Sequence, residues 1–339
     1  MPESRFDPIW YGGVRPSWLL RVLGLVWRCV MALRNWLYQQ RVLRAGRAPV
    51  PVLVIGNLTA GGTGKTPLTV YLARLLQELG HHPGIASRGH GRSSTGLQWV
   101  HADSTAADVG DEPLLLQQRT GLPVCVAARR IEAARALVAA GCDVVLCDDG
   151  LQHLALARDL EICVVDGARG FGNGLFVPAG PLREPRSRLH SVDLVVINAA
   201  VAGSAASDLP DGLQMRLAGD LAWPLTGLAE PKPLSAFAGP TVHALAGIGN
   251  PGRFFAQLRR AGLTPVEHAF ADHHRYAASD LQFAHGQVLL MTEKDAVKCR
   301  SFAAPGYWYV PVEATFDAAD TQRLRQLLLA LFTGGTSSP

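Results

Sequence analysis

Residues 50–67 read VPVLVIGNLTAGGTGKTP. The first six form an apolar run of strand length rich in β-branched residues, and a helical pattern follows Pro67 and ends at Gly80. Between the two lies the glycine-rich segment TAGGTGKT at 59–66. A strand, a glycine-rich turn ending in Gly-Lys-Thr and a helix, in this order, are typical of a P-loop that holds nucleotide phosphates.

Each residue type in this segment has a physical role. The glycines let consecutive backbone N–H groups point at a phosphate, and the helix N-terminus adds partial positive charge. Lys65 would reach the β- and γ-phosphates, and the Thr66 hydroxyl would bind Mg²⁺. The candidate nucleotide-binding residues are Thr59, Ala60, Gly61, Gly62, Thr63, Gly64, Lys65 and Thr66. Residue 59 is threonine where the strict pattern has glycine, and a chance Gly-Lys-Thr in a glycine-rich loop is the alternative interpretation.

The strand–helix alternation continues along the chain. Further apolar runs of strand length occupy residues 83–87, 123–127, 142–150, 161–167 and 193–199. Because these runs are apolar nearly throughout, they predict a parallel sheet that is covered on both faces. The predicted fold class is therefore α/β: a P-loop NTPase-like, mostly parallel sheet flanked by helices, with a smaller second α/β lobe and an N-terminal amphipathic helix.

Composition and segment boundaries agree with a globular protein. Of 339 residues, 48% are hydrophobic and 18% are charged, which excludes wholesale disorder. The six cysteines form no C-x-x-C pair, so reduced thiols are expected and a zinc site is not. The predicted segments are an N-terminal membrane-associated arm (1–48), a P-loop kinase domain (49–205), a smaller C-terminal α/β lobe (206–316) and a C-terminal helix with a frayed tail (317–339).

The N-terminal arm carries the basic excess of the chain. Residues 1–48 contain eight arginines and two acids, whereas the remaining 291 residues contain 24 basic and 26 acidic side chains. Residues 18–40 are strongly apolar, but arginines interrupt them, so no membrane-spanning helix is predicted. With about 100° of rotation per residue, Arg21 and Arg28 lie on a narrow polar stripe of a helix, and the opposite side of that helix is widely apolar. Only Arg34 falls on the apolar side.

This pattern favours a helix that lies in the headgroup layer of a membrane. A helix packed on its own domain is an equally good interpretation. Nucleic-acid binding is not expected, because apolar residues separate the arginines. Acids near the N-terminus and the lack of a small-residue cleavage site argue against a signal peptide.

Adjacent carboxylates are candidate catalytic or metal-binding groups. Asp111 and Glu112 lie in a turn before a helix, where capping of that helix is the alternative role. Asp148 and Asp149 end an apolar strand, a position at which P-loop proteins hold Mg²⁺ or its water, although a solvated strand end has the same composition. Ligands of parallel sheets bind beyond such strand ends.

Three further regions carry polar residues of interest. Gln152 and His153 either orient a substrate or cap the turn after Asp149. The Gly/Pro-rich loop 170–185 contains Arg183, and its apolar residues either line a lipid or sugar site or pack on the sheet. In the second lobe, a histidine beside Asp272 is a candidate to tune a carboxylate across a cleft. The segment TEKDAVK at 292–298 either forms a solvated turn or carries two lysines close to where a nucleotide could lie between the lobes.

Taken together, VIGNLTAGGTGKTP, SRGHGR, GDEP, DDGLQH, GPLREP, FADHH and MTEKDAVK resemble the tetraacyldisaccharide 4′-kinase family of lipid A biosynthesis. The motifs follow the family's order, and the arm resembles the family's membrane-associated helix. The resemblance implies ATP-dependent phosphorylation of the 4′-hydroxyl of tetraacyldisaccharide 1-phosphate to give lipid IVA, with ATP and Mg²⁺ as cofactors. It implies a peripheral or monotopic location at the cytoplasmic face of the bacterial inner membrane, with no nucleic acid and no obligate protein partner.

The resemblance also implies roles for individual residues. The implied catalytic residues are Lys65, Asp111 as the base that accepts the sugar hydroxyl proton, and His273 as its partner. The implied metal ligands are Thr66, Glu112 and Asp148, with Asp149 as the alternative to Asp148. The implied substrate contacts are Asp149, Gln152, His153 and Arg183. His90 and Leu151 stand where the family usually has Tyr and Phe, and we expect little effect because neither carries proton transfer.

Other classes of P-loop or membrane protein would differ from this sequence at identifiable residues. A partitioning-type ATPase would carry lysine before the double glycine, where this chain has Ala60. A regulatory GTPase would carry N-K-x-D, and TEKD at 292–295 has the wrong order. A non-enzymatic membrane adaptor would not need acids at strand ends.

Overall fold

The computed structural model describes residues 6–199, 208–239 and 241–333. Within these ranges the helices are α1 Asp7–Trp10, α2 Trp18–Gln39, α3 Lys65–Glu78, α4 Ala106–Val109, α5 Asp111–Thr120, α6 Arg130–Ala139, α7 Pro251–Arg260, α8 Glu293–Cys299 and α9 Ala318–Thr333. The strands are β1 Val52–Gly56, β2 Pro83–Ser87, β3 Gln98–Val100, β4 Val124–Val126, β5 Val144–Cys147, β6 Leu160–Asp166, β7 Leu194–Asn198, β8 Leu213–Ala218, β9 Leu221–Pro224, β10 Lys232–Pro233, β11 Val242–Ala246, β12 Val266–Ala269, β13 Val288–Thr292, β14 Tyr307–Val310 and β15 Glu313–Thr315. Short 3₁₀ turns occupy Arg186–Ser191, Leu234–Phe237, Ala278–Ala284 and Arg300–Phe302.

The larger sheet has nine strands in the order β15-β8-β7-β6-β1-β5-β2-β4-β3. Neighbours are parallel from β8 to β4, and only the two edge strands are antiparallel. Side chains of β1 alternate between two cores: Leu53 and Ile55 belong to the one that contains α3 and α5, and Val52 and Val54 to the one that contains α6. Helices therefore cover both faces, as the apolar strands predict.

The smaller sheet has six strands in the order β10-β9-β14-β13-β11-β12. The four strands from β14 to β12 are parallel, whereas β9 pairs with its neighbours antiparallel. Buried aromatic and aliphatic side chains of α7, including Phe254 and Leu258, pack on this sheet. The second α/β lobe that the sequence predicts is thus present.

The two sheets divide the chain differently from the predicted segments. Strand β8 lies in the segment predicted to form the C-terminal lobe (206–316), yet it extends the larger sheet beside β7, and β15 of the same segment pairs with β8. Leu324 and Leu328 of α9 also belong to the core of the larger lobe. The local pattern could not show this, because both contacts join residues far apart in sequence. The boundary at 205/206 and the tail 334–339 lie outside the described residues, so the domain division itself stays a prediction.

Helix α2 begins after Ser17, whose Oγ accepts a hydrogen bond from Leu20 N at 3.4 Å. The helix packs on the larger lobe along a narrow strip of its surface, and its only buried residues are Gly24 and Met31. A Cβ at residue 24 would lie 2.9 Å from the carbonyl oxygen of Phe176, so glycine is needed for this close approach. Within the three described ranges, no helix is long and apolar enough to cross a membrane.

Candidate functional site

A cavity of about 1320 Å³ opens between the two lobes at the carboxyl ends of the larger sheet's strands. Its lining includes most of the candidate residues, namely Gly61, Gly62, Thr63, Gly64, Lys65, Thr66, Glu112, Asp148, Asp149, Gln152, His153, Arg183 and His273. Thr59, Ala60 and Asp111 are not part of its surface. Thr59 and Ala60 instead bridge to the loop 170–185, where the carbonyl of Pro181 accepts a bond from Ala60 N at 2.7 Å.

Asn57 organises the P-loop from within. Its side chain is fully buried, and its Nδ2 donates to the carbonyl of Thr59 at 2.8 Å and more weakly to that of Gly61 at 3.3 Å. Its Oδ1 accepts a hydrogen bond from Lys65 Nζ at 3.2 Å. Lys65 Nζ also lies 3.5 Å from Asp149 Oδ1, so two oxygens hold the ammonium at the mouth of the loop.

The second lobe closes directly on the P-loop. A Cβ at Gly249 would lie 2.5 Å from Gly62 N, so the loop between β11 and α7 touches the double glycine and requires glycine there. Asn198, at the end of β7, donates from Nδ2 to the carbonyl of Thr63 at 2.9 Å, and its Oδ1 accepts from Arg253 of α7. Residues 247–252, GIGNPG, therefore support the phosphate loop, although their spacing is not that of a dinucleotide fingerprint.

Asp111 and His273 form a pair across the lobe interface. His273 Nδ1 lies 3.0 Å from Asp111 Oδ2 and 3.2 Å from Oδ1. Burial by itself would raise the pKa of the Asp111 carboxyl, but the hydrogen bond from His273 and the charge of Lys294 outweigh it and hold that pKa well below its ordinary value. His273 has φ of 58°, a conformation that costs free energy for a non-glycine residue and that marks a constrained site. His90 lies edge-on to His273, with ring centroids 5.1 Å apart.

Asp148 and Asp149 have opposite electrostatic environments. Asp148 is 1% exposed, and burial, followed by the charge of Glu112, raises the pKa of its carboxyl to about 7. Burial also acts to raise the pKa of Asp149, but the charges of Lys65 and Arg183 lower it far below the usual range. The carboxyl of Asp149 is therefore ionised near pH 7, whereas the positive charges near Asp148 do not fully offset its burial.

The three remaining candidate substrate contacts, Gln152, Arg183 and His153, differ in their interactions with neighbouring residues. Gln152 Nε2 donates to the carbonyl of Asn57 at 3.0 Å and to Glu184 Oε2 at 2.9 Å, so it braces the loop as well as lining the cavity. Arg183 Nη1 lies 3.2 Å from Asp149 Oδ2. Burial and several arginines, Arg130 first among them, lower the pKa of His153 to about 4, so this imidazole is neutral near pH 7.

The donors fit a hard cation beside the P-loop. Thr66, Glu112 and Asp148 line one cavity and offer only oxygen atoms, which Mg²⁺ prefers. Burial, and then the charge of Glu112, raise the pKa of the Asp148 carboxyl, so a cation placed here would favour its ionised form. No group of three or more His, Cys, Asp or Glu in the described ranges is placed to hold a metal by itself.

The sequence interpretation missed several functional contacts. Asn57 follows the strand end, but only the fold shows that it binds Lys65. Lys294 lines the cavity, and its Nζ also lies 3.0 Å from Glu112 Oε1 and 3.2 Å from Asp272 Oδ1, contacts that the sequence did not predict. No local signal pairs residues 182 positions apart.

Comparison with known proteins gives a consistent answer. A family model described as tetraacyldisaccharide-1-P 4′-kinase matches residues 16–333. The tetraacyldisaccharide 4′-kinase of Xanthomonas euvesicatoria pv. vesicatoria (strain 85-10) is 51% identical over 323 residues, covering 93% of each chain. A relative of the same name from Stenotrophomonas maltophilia (strain R551-3) is 48% identical over 320 residues, covering 93% of this chain and 94% of its own.

The fold is similar to a crystal structure of the "apo" form of LpxK from Aquifex aeolicus in complex with ATP. The TM-score is 0.75 at 26% identity, and the match covers 91% of this chain and 97% of that one. The α/β fold class and the family resemblance predicted from the motifs are thereby confirmed. The chain belongs to the tetraacyldisaccharide-1-P 4′-kinase (LpxK) family.

Proposed function

We propose that the chain transfers the γ-phosphoryl group of ATP to the 4′-hydroxyl of tetraacyldisaccharide 1-phosphate at a membrane surface, with Asp111 as general base and Mg²⁺ beside the P-loop. Family membership confirms the predicted kinase activity. The residue roles, the metal and the membrane are the proposal. One observation carries it: the P-loop lines the same cavity as His273 of the smaller lobe, and His273 contacts Asp111 of the larger lobe at 3.0 Å.

The P-loop would hold the triphosphate. Backbone N–H groups of residues 61–66 lead into the N-terminus of α3, and the Lys65 ammonium lies at the same place. The Thr63 hydroxyl oxygen is buried and has no hydrogen-bond partner among the described residues, so a bound phosphate oxygen would satisfy it. Bound Mg²⁺ would neutralise charge on the phosphates, with Thr66, Glu112 and Asp148 as its protein ligands.

Asp111 would accept the proton of the incoming hydroxyl. Phosphoryl transfer through a loose transition state asks mainly for placement and charge neutralisation, so a carboxylate that stays ionised is a competent base. His273 donates to Asp111 through Nδ1 and fixes its orientation. His273 lines the cavity and Asp111, 5% exposed, is in contact with it, so we expect the substrate hydroxyl to reach Asp111 beside the imidazole.

The cavity wall suits an anionic, lipid-linked substrate. Arg34, Arg88 and Arg183 line it together with His153 and Asp149, and the arginines give this side a positive potential. Trp27 and Met31 of α2 also line this cavity, so its surface extends from the polar residues to the N-terminal arm. The proposed substrate contacts are Asp149, Gln152, His153 and Arg183.

Helix α2 would lie on the membrane. Its apolar side chains point away from the protein: Trp18 is 75% exposed, and Leu19, Val22, Val26, Val30 and Leu33 are each 47% to 58% exposed. An apolar surface of this kind on a single helix marks an interaction site and not a core face. Packing on the domain accounts for the buried Gly24 and Met31 and for the bond from Arg34 to Gln152, but not for these exposed apolar side chains. Deleting residues 1–45 is expected to weaken association with liposomes, and unchanged partitioning would leave only the packed-helix interpretation.

Consumption of ATP with and without acylated disaccharide in detergent micelles tests the proposed function. Turnover is expected only with the lipid acceptor, and the phosphate is expected on the 4′-hydroxyl. Hydrolysis that does not depend on lipid would favour a partitioning-type ATPase, and no consumption under any condition would favour an adaptor. Omitting Mg²⁺ is expected to abolish transfer, and full activity in a chelator would contradict the metal assignment.

A further inference from the structure

Lys294 is placed at the centre of the acidic groups that surround the proposed base. It is the second residue of α8 in the smaller lobe, and it is largely buried, with 17% of its side chain exposed. Its Nζ lies 3.0 Å from Glu112 Oε1, 3.2 Å from Asp272 Oδ1 and 3.9 Å from Asp111 Oδ2. One ammonium therefore sits among three carboxylates that belong to both lobes.

The same ammonium contacts the imidazole that orients the base. Lys294 Nζ lies 3.4 Å from His273 Nε2. An ammonium can only donate, so Nε2 must accept, and the ring proton of the neutral imidazole then resides on Nδ1. That is the nitrogen that faces Asp111 at 3.0 Å. Lys294 and Asp111 thus select the same tautomer of His273, each through a different ring nitrogen.

A competing arrangement is available within the same cluster. Asp272 Oδ2 lies 3.8 Å from His273 Nε2, just beyond hydrogen-bond distance. With the proton on Nε2, the ring would donate to Asp272 and would present a bare Nδ1 to the Asp111 carboxylate. Two acceptors would then face each other, and the orientation of the base would be lost.

Resting on the proposed role of Asp111, we propose that Lys294 is a positioning residue that holds His273 in the Nδ1–H tautomer by donating to Nε2. The same ammonium also donates to Glu112 of α5 in the larger lobe, so it ties the orientation of the base to the meeting of the two lobes. Lys294 itself need not touch the reacting atoms.

Steady-state kinetics of Lys294→Met test the positioning role. The variant is expected to lower kcat by about 10- to 100-fold, as loss of an orienting partner does, while KM for ATP stays within about threefold. In a His273→Ala background the same substitution is expected to change kcat by less than about twofold, because the group through which it acts is gone. Equal losses in both backgrounds, or wild-type kcat in the single variant, would overturn the proposal.

NMR of ¹⁵N-histidine-labelled protein reports the tautomer of His273 directly. A purely structural role of Lys294 would leave that tautomer unchanged. At a pH at which the imidazole is neutral, His273, assigned with His273→Gln, is expected to show the Nδ1–H pattern, shifting toward Nε2–H in Lys294→Met. The Nε2–H pattern in the wild-type protein would refute the proposal even if the variant did not fold. Lys232→Met, an exposed lysine of the same lobe, is the control and is expected to match wild type. Lipid-dependent turnover of the wild-type enzyme in the same experiments shows separately whether the proposed function holds.

Discussion

Replacing Asp111 by asparagine removes the proposed base while keeping the size of the side chain. The carboxylate contacts His273, Lys294 and the amide of Glu112, and none of these lies in the P-loop. A positioned general base contributes about 10²- to 10⁴-fold, or about 2.7 to 5.4 kcal/mol of activation free energy. We therefore expect kcat and kcat/KM for the lipid to fall together by that factor. KM for ATP should stay within about threefold.

Transfer of labelled γ-phosphate from ATP to acylated disaccharide in detergent micelles measures this loss directly. Asp103→Asn, an exposed aspartate in the turn before α4, is the matched control and is expected to keep full activity. Thermal unfolding of both variants shows whether the fold is intact, because Asp111 is only 5% exposed. A folded Asp111→Asn protein that retains turnover within about twofold of wild type would refute the assignment of the base.

Three further changes test other parts of the site. Lys65→Ala is expected to abolish transfer and weaken ATP binding, and unaltered binding in a titration would contradict the P-loop assignment. His153 has its pKa lowered to about 4 from an unfolded value near 6.5, so the unfolded chain binds more protons between these pH values and acidification destabilises the fold. In thermal melts, His153→Gln should therefore lose less stability than wild type from about pH 6.5 to 4; an equal loss would show that His153 contributes nothing, and a larger loss would show the opposite sign. Arg34→Ala should lower kcat more than Arg21→Ala, an exposed arginine of the same helix, and equal effects would exclude a role for the Arg34 contact.

The sequence was most informative where structure is local. An apolar strand, a glycine-rich turn and an amphipathic helix are each determined by neighbouring residues, so the P-loop and the strands around it could be placed to within a few positions. The carboxyl ends of parallel strands meet at one edge, so Asp148 could be assigned to the cavity before its neighbours were known. Both inferences use only periodicity and the geometry of parallel sheets.

Contacts between distant segments could not be predicted in this way. His273 and Asp111 are 162 positions apart, and only the family resemblance paired them. The pairing of β15 with β8 depends on the chain returning from the second lobe, which no local pattern indicates. Likewise, the double role of Gln152, bracing the loop and lining the cavity, follows from tertiary packing and not from its position after a strand.

The orientation of Arg34 shows how the arm and the P-loop are joined. By helical periodicity this arginine interrupts the apolar face of α2, but the structure turns it toward the domain, where Nη1 donates to the carbonyl of Gln152 at 2.8 Å. Gln152 in turn donates to the carbonyl of Asn57, and Asn57 accepts from Lys65. A continuous series of hydrogen bonds therefore runs from the proposed membrane helix to the lysine that would hold the triphosphate. Because the first of these bonds comes from the arm, a shift of α2 on its docking line would act on Lys65 through Gln152 and Asn57, with no contact between lipid and nucleotide.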